Sequence, residues 1–433
     1  MDEVLDFLQV DLFQAPARLF REGLGLARAA ALLAELDDPQ DRAPVVHVAG
    51  TAGKGTVASG IAAVLTDRGQ RVGLHVSPHV YDLRERFTVN GAWCTPDQLV
   101  ALLVAVMPAA RRLAATEHGP PTFYEVTLAM ALVHFREQAC DLMVIETGLG
   151  GRFDATNTIT RSDKLAVITR IDLDHEAVLG PTLADIADQK AGILARGGDA
   201  VVLHHGAAAI DETLAAAATR LHCQLHVVVA PTLGPGQVAH LVEDRALVAA
   251  TVAELDHRAG RHVDAATLDR VLDELELPGR FEVLRTPGRT RVVLDGAHNP
   301  VKLAALIDRL RQQTDVGAGG WRAVFGCRRD KKAGELLAQL STVVGPTDPV
   351  WLVQFPIPAG DVGADVSTDP DELVWHARSA GLRGAIAVGL DQVAALIDEE
   401  PSRSVVVVGS FHLLAALRPR LGIAPWPGGL DTA

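Results

Sequence analysis

The stretch Gly50-Thr51-Ala52-Gly53-Lys54-Gly55-Thr56 gathers three glycines, one lysine and two hydroxyls in seven residues. Each type suits the binding of a polyphosphate. Glycines let backbone N–H groups close around phosphate oxygens, a following helix N-terminus adds positive potential, and Lys54 can reach the terminal phosphates. Thr56 can offer its hydroxyl to Mg²⁺. The match to G-x-x-x-x-G-K-[ST] is imperfect, because Gly55 separates Lys54 from Thr56 and Val48 holds the first glycine position. Taken alone, the stretch also reads as a glycine-rich turn with a solvated lysine.

Further along, Glu146 ends the apolar run Asp141–Glu146. That edge is where α/β sheets place ligands, and a carboxylate there suits Mg²⁺. Asp295 ends a later apolar run, after which Gly296-Ala297-His298-Asn299 leads into a helix opening with Pro300. Asp295 and Asn299 read equally well as turn and cap residues.

The elements that must position these residues follow from hydrophobic spacing. From Val45 onward, short apolar runs alternate with longer stretches of helical period, the pattern of a parallel sheet covered by helices. The runs Val45–Ala49, Arg71–Val76, Asp141–Glu146, Leu165–Thr169 and Ala200–His204 predict strands, and Val57, Ile61, Val64 and Leu65 form one apolar helix stripe. Thr95-Pro96 predicts a helix start, and Thr122 with Glu125 predicts a capping box. Turn formers cluster at Leu277-Pro278-Gly279-Arg280 and Thr286-Pro287-Gly288. A second series then begins, with strands predicted at Arg291–Leu294, Arg322–Phe325, Val350–Val353, Ala385–Val388 and Ser404–Val408. The break places an ATP-binding domain at 1–285 and a second α/β domain at 286–433.

Bulk composition sets limits. A chain of 433 residues with 48% hydrophobic and 22% charged residues has the balance of a globular protein of two or three domains. The formal net charge of -14 argues against a general nucleic-acid binder. The cysteines Cys94, Cys140, Cys223 and Cys327 are widely spaced, which argues against a C-x-x-C zinc site or redox pair. The start Met1–Asp6 is acidic and no apolar run approaches the ~20 residues of a membrane helix, so a cytoplasmic protein without membrane partner is expected.

Read as Gly-Thr-x-Gly-Lys-Gly-[Ser/Thr], the loop resembles that of the folylpolyglutamate synthase and dihydrofolate synthase branch of the Mur ligase family. Other segments arrive in that family's order: Ser77-Pro78-His79, Arg84-Glu85-Arg86, Thr122 to Thr127, and Glu146 to Asn157. Leu173-Asp174-His175, Lys190-Ala191-Gly192-Ile193, Leu277 to Glu282 and Asp295 to Pro300 follow. Ala52 stands where the family usually has Asn, Thr56 where it has Ser, and Glu176 where Thr is common; the Phe355-Pro356-Ile357-Pro358 region lacks a clear arginine of the family kind.

The resemblance implies an α/β fold, with an N-terminal P-loop-type Mur ligase central domain and a C-terminal Rossmann-like domain. It implies that Gly50, Thr51, Gly53, Lys54, Gly55 and Thr56 bind ATP, with Arg280, Asp295 and His298 contacting it from across a cleft. Thr56 and Glu146 would hold one Mg²⁺, and Ser77, Glu146 and His175 a second. Lys190 would be carbamylated by CO₂, although by itself it reads as a helix lysine paired with Asp185 or Asp188. Ser77, Phe123, Asp154 and Ala155 would line the pterin side. The implied reaction moves the γ-phosphate of ATP to a pterin-linked or folate carboxylate, and the amine of L-glutamate attacks the resulting acyl phosphate. Lys54, Glu146, His175 and Lys190 would carry the catalysis, mostly by charge neutralisation and positioning. No protein nucleophile is required, and a monomer is expected. Competing readings are another Mur-family amide ligase, a simple P-loop kinase, or a non-catalytic ATP-binding protein on the same scaffold.

Overall fold

The run Val45–Ala49 forms strand β1 and is buried along its whole length, as a strand covered by helices on both faces must be. The computed structural model describes residues 24–234, 237–260, 265–315, 317, 320–357 and 367–423; Met1–Asp6 and Pro358, singled out above, lie outside them. The described chain forms two compact units. The first takes in residues up to His79 and Arg84–Leu275; the second takes in Val80–Leu83 and the residues from Glu276 onward.

The sheet of the first unit has β1 near its centre. With β2 (Val72–His75), β3 (Phe87–Val89), β4 (Ala92–Trp93), β5 (Leu142–Glu146), β6 (Leu165–Ile168), β7 (Asp199–Leu203) and β8 (Gln224–Val228), its order is β4-β3-β2-β5-β1-β6-β7-β8. All pairings are parallel except β2 with β3 and β3 with β4. The five predicted strands are present, each trimmed or shifted by at most about a residue at either end. Sequence reasoning missed β3, β4 and β8, whose short or alternately exposed runs carry too little apolar signal. A signal for the first two did exist: Asn90 and Gly91 take φ of 52° and 73°, as a tight two-residue hairpin turn requires.

The Lys54–Asp67 helix lays Val57, Ile61, Val64 and Leu65 against the sheet in a cluster that also holds Val248, Val252 and Leu268. On the other face, Ile186 and Ala187 pack with Ala166 and Ile168. The helix Phe123–Glu137 starts as predicted, with Thr122 accepting from Glu125 N and the Glu125 carboxylate accepting from Thr122 N. That carboxylate also takes a two-pronged ion pair from Arg28, with Nε to Oε2 at 2.7 Å and Nη2 to Oε1 at 2.9 Å, both residues buried.

In the second unit, β9 (Glu282–Arg285), β10 (Arg291–Asp295), β11 (Arg322–Phe325), β12 (Val350–Leu352), β13 (Ala385–Ala387) and β14 (Val405–Val408) take the order β13-β12-β11-β14-β10-β9. Only β9 runs antiparallel to its neighbour. Val80 belongs to this unit's core, and the Tyr81 hydroxyl donates to Glu282 Oε2 at 2.7 Å. Arg418 pairs with Glu282 and lies over the Tyr81 ring, 4.7 Å from its centroid. At the end of β10, the Asp295 carboxylate accepts from Phe281 N and Ala297 N, both at 2.9 Å. Burial raises its carboxyl pKa to about 6, against the pull of those bonds and of Arg280 and Arg309.

Two outcomes test these anchors. Arg28→Met leaves the Glu125 carboxylate buried without its cation, so urea unfolding should show a loss of about 3 kcal/mol or more. For Asp295 the folded pKa of about 6 lies above the ordinary 3.8, so the folded state binds the proton more tightly. Stability contributed by this group therefore grows as pH falls through 6 and is complete below about 4. Wild type should gain about 3 kcal/mol over Asp295→Asn as pH drops across that window, at roughly 1.36 kcal/mol per unit. An unchanged difference between the two proteins would contradict the assignment.

Candidate functional site

Between β1 and its helix the loop backbone lies against the end of β6. A Cβ on Gly50 would stand 1.8 Å from Thr169 Oγ1, an approach that only glycine permits. The Thr169 hydroxyl donates to Ala52 O at 2.7 Å, and Arg170 O accepts from Thr51 N at 2.7 Å and Ala52 N at 3.3 Å. The Thr51 hydroxyl donates to Asp172 O at 3.0 Å and accepts from Asp172 N at 3.1 Å. Ala52 contributes backbone only to these bonds. Gly53 caps the helix at φ 83°, and a Cβ there would meet Asp244 Oδ1 at 2.3 Å.

Two lysines converge on the Gly50 carbonyl. Lys54 Nζ donates to it at 3.0 Å and Lys190 Nζ at 2.8 Å. Lys190 is buried near the end of the Leu183–Ala191 helix, whose capping box is made by Thr182 and Asp185. Asp188 pairs with Arg152 at 2.8 Å. The two ammonium groups concentrate positive charge beside the loop, where phosphate oxygens would meet it.

Parallel pairing sets Val48 opposite Glu146, which brings the buried Glu146 carboxylate to the loop end of the sheet. Its Oε2 accepts from Ser77 N at 3.0 Å. Thr56 is the third residue of the Lys54–Asp67 helix and is half-buried. The hydroxyls of Thr56 and Ser77 with the Glu146 carboxylate are hard oxygen donors, the set a magnesium ion selects, so these residues fit that ion. His175 caps the short helix Glu176–Leu179 at φ 52°; its N–H donates to Asp174 Oδ1 at 3.0 Å and its side chain is 48% exposed. The Thr51–Asp172 pair links the stretch just before it to the loop.

Asp154 is buried, and its carboxylate accepts from Leu149 N at 2.8 Å, Thr156 N at 3.0 Å and the Thr156 hydroxyl. Burial raises its pKa and those bonds oppose the rise. Thr156 Oγ1 also meets His47 Nε2 at 2.8 Å, and burial, then Lys164, holds that imidazole well below its usual pKa. The observed work of Asp154 is thus to brace the loop that follows β5; Ala155 is buried beside it. The Tyr124 hydroxyl lies 3.4 Å from Asp154 Oδ1, and burial, then Asp154 and Glu146, raises its pKa. Phe123 opens the same helix, with the Arg86 guanidinium 5.2 Å over its ring. Arg86 Nε donates to His79 Nδ1 at 2.8 Å, and burial, then Arg86, lowers the His75 pKa to about 3. Sequence reasoning quoted the segments holding Tyr124 and Arg86 but assigned neither residue to the site. The capping box at Thr122, which fixes both Phe123 and Tyr124 in the first turn, was the available signal.

In the second unit, Arg280 lies over the Phe411 ring, 5.4 Å from its centroid, and the His298 ring centroid lies 6.1 Å from the same ring. His298 Nδ1 meets Gly296 O at 2.8 Å and its Nε2 meets Lys302 Nζ at 3.2 Å. Asn299 caps the Pro300–Arg311 helix by accepting from Lys302 N. Asp295 joins this cluster through Ala297 N. Arg280, Asp295 and His298 therefore gather at one strand-to-helix turn.

Comparison with known proteins agrees with this organisation. Residues 279–411 match the Mur ligase, glutamate ligase domain. A Haloferax volcanii protein, named probable bifunctional folylpolyglutamate synthase/dihydropteroate synthase, is 32% identical over 93% of this chain, which spans about half, 49%, of that relative's length. A Mycobacterium tuberculosis dihydrofolate synthase/folylpolyglutamate synthase is 31% identical over 79% of this chain and 77% of its own. The solved structure of Mycobacterium tuberculosis folylpolyglutamate synthase complexed with ADP superposes with a TM-score of 0.80 at 26% identity, covering 94% of this chain and 96% of that one. Among the described residues, no helix is long and apolar enough to cross a membrane. With the phosphate loop and a Mur ligase C-terminal domain in one chain and relatives of this identity and coverage, the chain belongs to the dihydrofolate synthase/folylpolyglutamate synthase family.

Proposed function

We propose that the chain is an ATP-dependent ligase that joins L-glutamate to dihydropteroate, to a folylpolyglutamate, or to both, through an acyl phosphate. The observation that carries this reading is the loop pinned at Gly50, with Lys54 and Lys190 on its carbonyl and the buried Glu146 at the adjacent strand end. The family match in the second unit names a glutamate ligase domain, and the Mycobacterium tuberculosis structure holds ADP, which supports glutamate as the amine and ATP as the nucleotide.

An amide cannot form directly from a carboxylate and an amine because the leaving group is poor. Transfer of the γ-phosphoryl of ATP to the acceptor carboxylate forms a C–O–P link and releases ADP. The glutamate amine then displaces phosphate, losing a proton. In this reading the backbone N–H groups of Gly50 to Thr56 cradle the phosphates, and the Lys54 ammonium, released from Gly50 O, neutralises charge on the transferred oxygens. Thr56, Ser77, Glu146 and His175 would hold two Mg²⁺ ions, which supply charge neutralisation at the phosphates when bound. The Lys190 ammonium would lose one proton to give the free amine, and that amine would add to CO₂ with loss of a second, turning a cation beside the loop into an anion. Phe123, Asp154 and Ala155 are proposed on the acceptor side, Asp154 by bracing the loop. Arg280, Asp295 and His298 are proposed as nucleotide contacts.

The reading is tested by ATP-dependent glutamate incorporation, run in parallel with dihydropteroate and a tetrahydrofolate as acceptors. Lys54→Ala should lose at least ~100-fold in turnover while its urea midpoint stays at the wild-type value. Full turnover in that variant would remove the loop from the ATP site. For Lys190, crystals grown with bicarbonate should show density beyond Nζ, and a small carboxylate should partly restore Lys190→Ala. A bare amine in those crystals, with wild-type activity in the variant, would refute the modification.

A further inference from the structure

The opposite end of the first unit's sheet carries a cluster that the ligase reading leaves unused. Asp199 is the first residue of β7, whereas the phosphate loop lies at the far ends of the parallel strands, so the strand alone separates them by ~13 Å. His226 lies on the neighbouring edge strand β8, and Glu254 in the last turns of the Ala239–Arg258 helix. One ligand atom from each of Asp199, His226 and Glu254 lies within 4.8 Å of the other two.

The separations decide what the cluster is suited to. His226 Nε2 stands 3.5 Å from Asp199 Oδ1 and 3.6 Å from Glu254 Oε2. A charge-assisted hydrogen bond would close to about 2.7–2.9 Å. Ligands sharing a tetrahedral ion at about 2.0–2.1 Å are instead about 3.3–3.4 Å apart, close to what is seen. His226 Nε2 is buried and makes no hydrogen bond among the described residues. Arg258 engages the other oxygen of each carboxylate, with Nη2 to Asp199 Oδ2 at 2.6 Å and Nε to Glu254 Oε1 at 2.9 Å. Its Nη1 donates to Asp163 O at 3.1 Å. Each carboxylate thus turns one oxygen to the guanidinium and keeps the second toward His226.

We propose that Asp199, His226 and Glu254 form a divalent-metal site of zinc type, with a fourth position for water, which ties edge strand β8 to β7 and to the end of the Ala239–Arg258 helix. The nitrogen and two carboxylate oxygens favour zinc over calcium or magnesium, which prefer all-oxygen sets. Arg258 neutralises part of the carboxylate charge and so weakens the site without occupying it. The proposal does not rest on the ligase reading.

The test titrates the nucleotide-free full chain with Zn²⁺, and with Co²⁺ for its ligand-field spectrum, in wild type, His226→Gln, Glu146→Gln and Arg258→Gln. Wild type and Glu146→Gln should each bind one equivalent with a tetrahedral Co²⁺ spectrum and a rise in Tm on adding Zn²⁺. His226→Gln should lose that equivalent and the Tm response while keeping wild-type Mg²⁺-ATP turnover, since His226 lies outside the proposed catalytic groups. Arg258→Gln should bind several-fold more tightly. Uptake by His226→Gln at wild-type affinity, or wild-type uptake that disappears only in Glu146→Gln, overturns the proposal.

Discussion

The contact between Gly50 and Thr169 governs the candidate site. With 1.8 Å between an imagined Cβ and the threonine hydroxyl, the loop cannot leave the end of β6 without losing the bonds from Thr51, Ala52 and Thr169. Held there, the Gly50 carbonyl becomes a fixed acceptor, and both Lys54 and Lys190 orient on it. The cost of ordering two long cationic side chains is thereby met inside the fold. Parallel pairing of β1 with β5 then brings Glu146 to the same edge, because Val48 and Glu146 share a register position. Strand order and one crowded glycine together place the charges.

The legibility of the sequence varied with how local each cause was. The loop, the helix start at Thr95-Pro96, the capping box at Thr122 and the helix opening at Pro300 are written in neighbouring residues and could be read directly. The central strands were readable because burial on both faces demands an unbroken apolar run. Strands at or next to the sheet edges escaped: Gln224–Val228 mixes half-buried and exposed positions, and Phe87–Val89 spans only three residues. The bond from Lys190 to Gly50 joins residues 140 apart, and local spacing offered only Asp185 and Asp188 as partners. Asp154 shows the same limit, since its motif marks it for the site while only the folded loop reveals the donors of Leu149 and Thr156 on its carboxylate.

The second unit uses a crowded glycine as well. There, the turn after β10 sets Arg280 and His298 against Phe411, and Gly296 allows it, because a Cβ would meet the Phe411 ring at 2.2 Å. In both units a glycine with no room for a side chain fixes the geometry of charged neighbours.

The four residues Val80–Leu83 give the molecule an uncommon genealogy of parts. The chain contributes them to the second unit, Val80 to its core, then returns to the first for nearly two hundred residues before supplying the rest. A fragment beginning at Glu276 would carry Glu282 and Arg418 but not the tyrosine that hydrogen-bonds one and stacks on the other. The second unit is therefore not a cassette that can be cut out or exchanged at one junction. Recombination between relatives would have to carry the short upstream insert along with the downstream half, so the two are bound to a shared inheritance.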